Sequence, residues 1–134
     1  MSEAVVRAYY EAFNAGDHDA MLALLTEDVA HDINHGECET GKEAFRRFLA
    51  HMDHCYRERL TDIVVMVSAD GSRAAAEFVV HGTYLATGEG LPPARDQIYV
   101  LPAGAFFAVR HGLISRVTTY YNLADWRAQV GTQP

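Results

Sequence analysis

The sequence lacks most of the features that would direct a protein to a membrane or to a nucleic acid. No apolar run reaches membrane-spanning length, and no basic segment precedes an apolar stretch near the start, so we expect a cytoplasmic protein without membrane association. Lys and Arg number only 11 and are not clustered, and the net charge is −7. A surface that follows phosphates needs clustered positive charge, so we expect no nucleic-acid partner.

Features of metal and cofactor sites are also missing. The two cysteines, Cys38 and Cys55, have neither metal-site nor redox spacing, and we expect both to be reduced and structural. His51 and His54 are three residues apart, but a metal ion needs further ligands; none is evident at a suitable spacing, and His35 is only a candidate. The sequence contains no nucleophile elbow, phosphate-binding loop or dinucleotide fingerprint. We therefore predict neither a metal nor another cofactor.

What is present suits one soluble domain spanning residues 1–134. Hydrophobic residues make up 49% and charged residues 22%, as in ordinary globular proteins. Apolar periodicity predicts helices at 2–15 and 18–25, a strand at 29–34, and a third helix from about 42. It then predicts strands at 61–68 and 74–85, a loop at 86–96, two strands within 97–123 and a final helical turn at 124–129. This order predicts an α+β fold with a mostly antiparallel sheet and helices on one face.

The longest β pattern is residues 97–123, in which two arms flank a tight turn at 110–112. Arg110 and Arg116 should reach water, and side chains alternate along a strand. The opposite, inner face is then predicted to hold Ala105, Phe107, Val109, Leu113, Ser115, Val117, Thr119 and Tyr121. Such an apolar face with hydroxyl groups at one end either binds a small apolar molecule or forms a packed core.

The outer face of the same strands is predicted to be apolar as well. Its members would be Phe106, Ala108, Ile114 and Tyr120, with Val79 and His81 on the neighbouring strand. Because the helices can cover only the inner face, this patch would stay exposed. Exposed apolar patches rimmed by charge are typical of interfaces, so we predict a homodimer formed through the sheet.

Two residues on the first strand, His31 and Asp32, are candidate general bases. Val29 and Ile33 set the inward phase, which His31 shares; Asp32 would face inward only through a β-bulge. Histidine titrates near neutral pH and could accept a proton from a substrate. The alternative is a core histidine that is hydrogen-bonded to a neighbour.

The first helix offers Tyr9, whose buried hydroxyl could polarise a ligand carbonyl or bond a backbone oxygen. Together with Thr119 and Tyr121 it could form a polar patch at one end of an apolar pocket. We predict that Phe13, Tyr84 and Phe107 also contact the ligand. The alternative is a packed core that contains tyrosines.

Several segments resemble the nuclear-transport-factor-like superfamily over essentially the whole chain. The opening VVRAYYEAFNAGDHDAMLALLTEDV is similar to that of ketosteroid isomerases, whereas GTYLATGEGLPPA, RHGLI and YYN before QVG are similar to SnoaL-like polyketide cyclases. The resemblance implies a cone-shaped, cystatin-like α+β barrel, with three helices from the N-terminal half packed on the concave face of a curved sheet. This fold hosts isomerases, cyclases, epoxide hydrolases and non-catalytic binders.

The resemblance also implies roles for individual residues. Tyr9 matches the isomerase tyrosine that stabilises an oxyanion. The second isomerase donor, a protonated Asp, falls on Ala105, and the basic Asp falls on Ile33, with Asp32 one residue earlier. The acid/base Asp of the cyclases falls on Asn122, which we include among the predicted ligand-binding residues.

Three hypotheses about function follow. The first is a cofactor-independent enzyme of the isomerase or cyclase type, which moves protons on a small apolar carbonyl compound. His31 or Asp32 would be its base and Tyr9 its hydrogen-bond donor. The second is a non-catalytic protein of the same fold that binds a small hydrophobic ligand, and the third is a dimeric interaction module. The first two differ in whether two titratable groups face one cavity.

Overall fold

The computed structural model describes residues 2–33 and 37–131. Within these ranges the chain forms four helices and six strands. In chain order they are α1 (Ser2–Ala15), α2 (His18–Ala23), β1 (Leu25–Asp32), β2 (Cys38–Thr40), α3 (Lys42–Cys55), β3 (Tyr56–Val67), β4 (Arg73–Tyr84), β5 (Gln97–Arg110), β6 (Leu113–Tyr121) and α4 (Leu123–Gly131). Among the described helices, none has the length and apolar character needed to cross a membrane.

The six strands form one curved sheet in the order β2-β1-β6-β5-β4-β3. All neighbouring strands are antiparallel except β1 and β6, which are parallel. Helix α1 packs on β3, β4 and β6, α2 packs on β1, and α3 spans β1 and β3. The predicted α+β architecture, with three N-terminal helices against a mostly antiparallel sheet, is confirmed. The short strand β2 was not predicted, because three residues carry too little pattern to recognise.

The predicted turns lie where glycine and aspartate indicated. His111 and Gly112 both have positive φ (52° and 76°), as a two-residue type I′ hairpin turn requires, and they join β5 to β6. In the β3–β4 turn, the Asp70 carboxylate accepts hydrogen bonds from the Ser72 backbone and hydroxyl and from the Ser68 hydroxyl. These bonds lower the pKa of Asp70 to about 2.

The second helix and the first strand differ from the prediction. Helix α2 ends at Ala23, not 25, and β1 runs from Leu25 to Asp32, not from 29 to 34. The apolar run that ends at Leu25 fits either structure, since periodicity cannot separate a short buried helix from a strand. Pairing decides the outcome: Leu25 lies opposite Ile114 on β6, and the Ile114 backbone donates to the Leu24 carbonyl at 2.8 Å. Residue 34 of the predicted strand lies outside the described ranges.

A β-bulge in β6 corrects the predicted assignment of side chains to the two faces. Ala108 is opposite Arg116 and Val109 is opposite Ile114, so Ser115 is an extra residue in β6. Ile114 consequently shares the inner face with Val109 and is fully buried, which makes its predicted outer position wrong. For the same reason Leu113, opposite Arg110, does not share the predicted inner face. Beyond the bulge, Val117, Thr119 and Tyr121 face inward as predicted, opposite Phe107, Ala105 and Ala103.

The centre of the inner face is a packed aromatic core. Tyr9 and Tyr10 of α1 contact Phe107 edge-on, with ring centroids 5.9 Å apart in both pairs. Tyr10 also packs on Phe78 at 5.1 Å. Burying side chains of this size stabilises the fold by about 1.5–3 kcal/mol each. The helices therefore cover this part of the sheet completely.

Candidate functional site

His31 lies on the inner face. It is opposite the inward-facing Val117 across the parallel β1–β6 pair and is only 5% exposed. Its imidazole sits between two rings of α3, with centroids 4.7 Å from Phe45 and 4.4 Å from Phe48. Its Nδ1 atom is buried and forms no hydrogen bond with any residue in the described ranges.

Burial sets the protonation state of His31. It lowers the pKa of the imidazole, and the nearby Asp32 carboxylate opposes this effect. The ring is therefore neutral at pH 7 and has a nitrogen able to accept a proton. The alternative of a core histidine satisfied by a neighbour is not seen for Nδ1 in the described part of the chain.

Asp32 faces the outer side of the sheet. Its Oδ2 atom accepts hydrogen bonds from Thr118 Oγ1 and Arg116 Nε, each at 2.7 Å. The Thr118 hydroxyl, the Cys38 thiol and the Arg116 guanidinium lower the pKa of Asp32. Because the β1–β6 register is regular from Ala30 to Asp32, no bulge turns this carboxylate inward. This placement removes Asp32 from the inner face and corrects its predicted role as a base there.

Tyr9 keeps its proton. The residue is 6% exposed, and burial raises the pKa of its phenol well above the ordinary range. The protonated phenol of Tyr9 can therefore act as a hydrogen-bond donor on the inner face.

Two predicted ligand contacts, Tyr84 and Asn122, form structural hydrogen bonds. Tyr84 is fully buried, and its hydroxyl donates to the Pro92 carbonyl at 2.7 Å and accepts from the Gly88 backbone at 3.0 Å. It therefore anchors the 85–96 loop. Asn122 is exposed, and its Oδ1 accepts from the Asp125 backbone at 3.0 Å, which caps the start of α4. A third predicted contact, Phe107, lies in the packed core.

Other inner-face residues remain partly exposed. Each is paired with an inward-facing residue on a neighbouring strand, so it lies on the inner face too. They are Tyr56 and Glu58 on β3, Ala103 on β5, and Thr119 and Tyr121 on β6. We refer to these five residues as the uncovered region. Tyr121 is close enough to raise the pKa of Tyr56, second to burial. The predicted contact Phe13 is also partly buried at the edge of the core.

The uncovered region contains a carboxyl group that the sequence analysis missed. Glu58 on β3, Gly82 on β4 and Tyr99 on β5 form one row across the inner face. Tyr99 donates its phenolic hydrogen to Glu58 Oε2 at 2.5 Å. Gly82 makes this contact possible, because a methyl carbon there would lie 2.2 Å from Tyr99 Cζ and 2.4 Å from its Oη.

The surroundings of Glu58 favour its protonated form. Burial raises the pKa of the carboxyl group, and the hydrogen bond from Tyr99 opposes this effect in part. No described Lys, Arg or His forms an ion pair with it. A carboxyl group with a raised pKa can serve as both a proton donor and a proton acceptor in catalysis.

Two sequence signals could have identified this row. Arg57 and Arg59 flank Glu58, so a strand that begins at Tyr56 would point both arginines outward and Glu58 inward. The strand predicted from the sequence begins at 61 instead. Gly82, in the interior of a strand, is the second signal, since such glycines often mark a close approach of another group.

The histidines and cysteines do not assemble into a metal site in the described ranges. No group of three potential ligands is found there. Cys55 is buried with its Sγ 3.8 Å from His51 Nε2, and Cys38 is exposed. His35, the predicted third candidate, lies outside the described residues.

The chain is similar to a known protein family and to several solved structures. A family model described as a SnoaL-like domain matches residues 6–117. A candidate polyketide cyclase from Pseudomonas putida KT2440 is 67% identical, with 94% of this chain and 95% of that chain covered and a TM-score of 0.92. A second, from Xanthomonas campestris pv. campestris, is 60% identical, with 96% of each chain covered and a TM-score of 0.93.

More distant structures share the fold. A nuclear-transport-factor-like protein of unknown function from Burkholderia pseudomallei K96243 is 18% identical over 96% of each chain, with a TM-score of 0.81. No curated protein matches the sequence with significance. The family match covers most of the chain and agrees with the resemblance predicted from the sequence. The chain belongs to the SnoaL-like family.

Proposed function

We propose that this protein is a cofactor-independent enzyme that transfers protons on a small, largely apolar carbonyl compound. The observation that carries the proposal is the uncovered region, where aromatic rings, hydroxyls and a carboxyl group share one inner surface. Small-molecule sites typically combine apolar walls with a few convergent polar groups. The substrate would bind there in a hydrophobic pocket. We propose that the protein is cytoplasmic.

The proposed chemistry needs a base and a hydrogen-bond donor. The base removes a proton from the carbon next to the carbonyl group, and the donor stabilises the negative charge that develops on the carbonyl oxygen. The neutral imidazole of His31 is one candidate for the first role, and the protonated phenol of Tyr9 is the candidate for the second. In an isomerisation the proton then returns to a different carbon. In a cyclisation it passes to solvent after the ring has closed.

The similar structures support a carbonyl substrate. The relatives at 67% and 60% identity are candidate polyketide cyclases, and polyketides carry several carbonyl groups. The same fold also supports a second candidate function, the binding of a small hydrophobic ligand without catalysis. In its favour, the resemblance matches Ala105 and Asn122 to the positions of two family acids, and the Asn122 side chain caps α4.

Hydrogen exchange separates these two candidates. Wild-type protein would be incubated in D2O with apolar cyclic ketones, such as α-tetralone and 2-cyclohexenone, and deuterium uptake followed by proton NMR. Exchange above that of the heat-denatured protein supports the enzyme. Saturable ketone binding without exchange would refute it in favour of the binding protein.

We also propose that two copies associate through the outer face of the sheet. Although Ile114 does not belong to this face, the face still exposes Ile98 (65%), Phe106 (57%) and Tyr120 (54%). The rings of Phe106 and Tyr120 are in edge-on contact, with centroids 5.8 Å apart. Val64, Met66 and Val100 are also exposed hydrophobic residues of β3 and β5. Apolar surface of this extent favours self-association by a two-fold axis.

A further inference from the structure

We propose that Glu58 is the acid/base catalytic residue of the uncovered region, and that Tyr99 is a positioning residue that holds its carboxyl group. This inference rests on the proposed function and deepens it, because it assigns the proton transfer to a residue other than His31. The expected substrate is flat and apolar, since the ring of Tyr56 lies beside Glu58 in the same region.

The geometry indicates a built site. Tyr99 crosses the whole width of β4 to reach Glu58, and its ring occupies the space where any side chain at position 82 would lie. Glycine in the interior of a strand is destabilising relative to alanine. A carboxyl group held away from water without a cation partner is destabilising as well. Stability alone would favour neither feature, whereas proton transfer needs a desolvated and fixed carboxyl group.

Accessibility separates Glu58 from His31. Glu58 is partly exposed, whereas His31 is 95% buried between Phe45 and Phe48. A substrate can therefore approach Glu58 without displacing the rings that cover His31. The inner surface near Glu58 also includes Tyr56, whose ring stacks on Tyr84 with centroids 5.6 Å apart.

The groups that face Glu58 set the pH at which it works. Tyr99 from β5 and Tyr56 from its own strand are the titratable neighbours, and both are phenols with pKa values raised above the ordinary range. Helix α1 contributes the uncharged Asn14, which is bonded to the backbone of Leu60. Removal of the Tyr99 hydroxyl should raise the pKa of Glu58 further, because its hydrogen bond stabilises the carboxylate.

A carbon acid that needs no second catalytic group tests this role directly. With 5-nitrobenzisoxazole, the Glu58 carboxylate would take the proton from C3. The C–H electron pair would form the nitrile as the N–O bond breaks, and the oxygen would leave as a coloured phenolate. The proton then passes from Glu58 to solvent, so no oxidant or co-reactant is required.

Wild-type activity should rise with pH through the titration of Glu58 and then level off. Glu58→Gln should reduce the rate at least tenfold, whereas Glu43→Gln, a matched change at an exposed site on α3, should leave it unchanged. Tyr99→Phe should move the pH profile to higher pH while retaining activity at its plateau, which a purely structural role would not do.

Three results with 5-nitrobenzisoxazole would each overturn the inference. The first is a folded Glu58→Gln variant that is as active as wild type, and the second is a Tyr99→Phe pH profile that does not move. The third is wild-type protein that is no faster than acetate at equal carboxylate concentration. Should Glu58→Gln fail to fold, the Tyr99→Phe profile decides. If Glu58→Gln exchanges ketone hydrogens as fast as wild type, the role of Glu58 is refuted, but the proposed function is not. Probe elimination through Glu58 without ketone exchange would instead refute the carbonyl substrate.

Discussion

The side-chain amide of Asn14 forms two hydrogen bonds with the backbone of Leu60. Its Nδ2 donates to the Leu60 carbonyl at 3.0 Å, and its Oδ1 accepts from the Leu60 amide at 2.9 Å. The amide takes the place of a neighbouring strand and fastens the end of α1 to β3, the edge strand that carries Glu58.

Asn14→Ala should destabilise the protein by about 1–3 kcal/mol, because it leaves a backbone donor and acceptor without partners. Urea unfolding measures this loss. Asn14→Asp keeps the acceptor and loses the donor, so it should cost less. Equal stabilities of wild type and Asn14→Ala would show that water replaces both bonds at no cost.

Gly82→Ala should destabilise the fold by about 1–3 kcal/mol, because its methyl group overlaps the ring of Tyr99. In the background of Tyr99→Leu, which removes the ring over that position, the same substitution should cost much less. A double-mutant cycle of unfolding free energies measures the coupling. Additive effects of the two substitutions would contradict the close approach of ring and glycine.

His31 should make stability depend on pH. Its folded-state pKa is lowered, so its contribution is complete above the ordinary value of 6.5 and is lost as pH falls through the folded pKa. The loss is at most about 1.4 kcal/mol per pH unit. His31→Phe should remove this dependence, and His54→Phe, at an exposed site, should not. Urea unfolding at pH 7.5 and 5.0 provides the comparison.

The catalytic prediction for His31 needs a separate measurement. If His31 rather than Glu58 is the base, His31→Ala should abolish turnover while the fold remains intact. A variant that unfolds at mild temperature but keeps its ketone exchange per folded molecule would show that His31 is structural.

Phe106→Glu should convert the proposed dimer to monomers, because it places a charge at the centre of the outer apolar face. Ala50→Glu, on the exposed side of α3, adds the same charge elsewhere and should leave the dimer intact. Sedimentation at micromolar concentration distinguishes the two. Wild-type protein that sediments as a monomer would refute the interface.

Steroid isomerisation should be weak or absent. The position matched to the second oxyanion donor is Ala105, a buried residue opposite Ala76 and Thr119. Loss of one such donor typically lowers the rate by about 100-fold or more. Turnover of a Δ5-3-ketosteroid at the rate of an authentic isomerase would show that this residue matching is wrong.

The sequence predicts the architecture well where the pattern is local. The turn at His111 and Gly112 and the inward direction of His31 follow from side-chain alternation and glycine placement. Alternation failed at Ser115, because this extra residue reverses the faces of Leu113 and Ile114 relative to the residues that follow the bulge. It also missed Glu58, because the contact with Tyr99 joins residues on different strands and depends on the space over Gly82.

The parallel pairing of β1 with β6 has a consequence for synthesis of the chain. Thr118 follows Asp32 by 86 residues, and no earlier segment can satisfy that side of β1. At about 5–20 residues per second, β1 would leave the ribosome roughly 4–17 s before its partner. During that interval the apolar side chains of Leu25 and Val29 lack the β6 part of their final cover, so this strand is open to aggregation or chaperone capture.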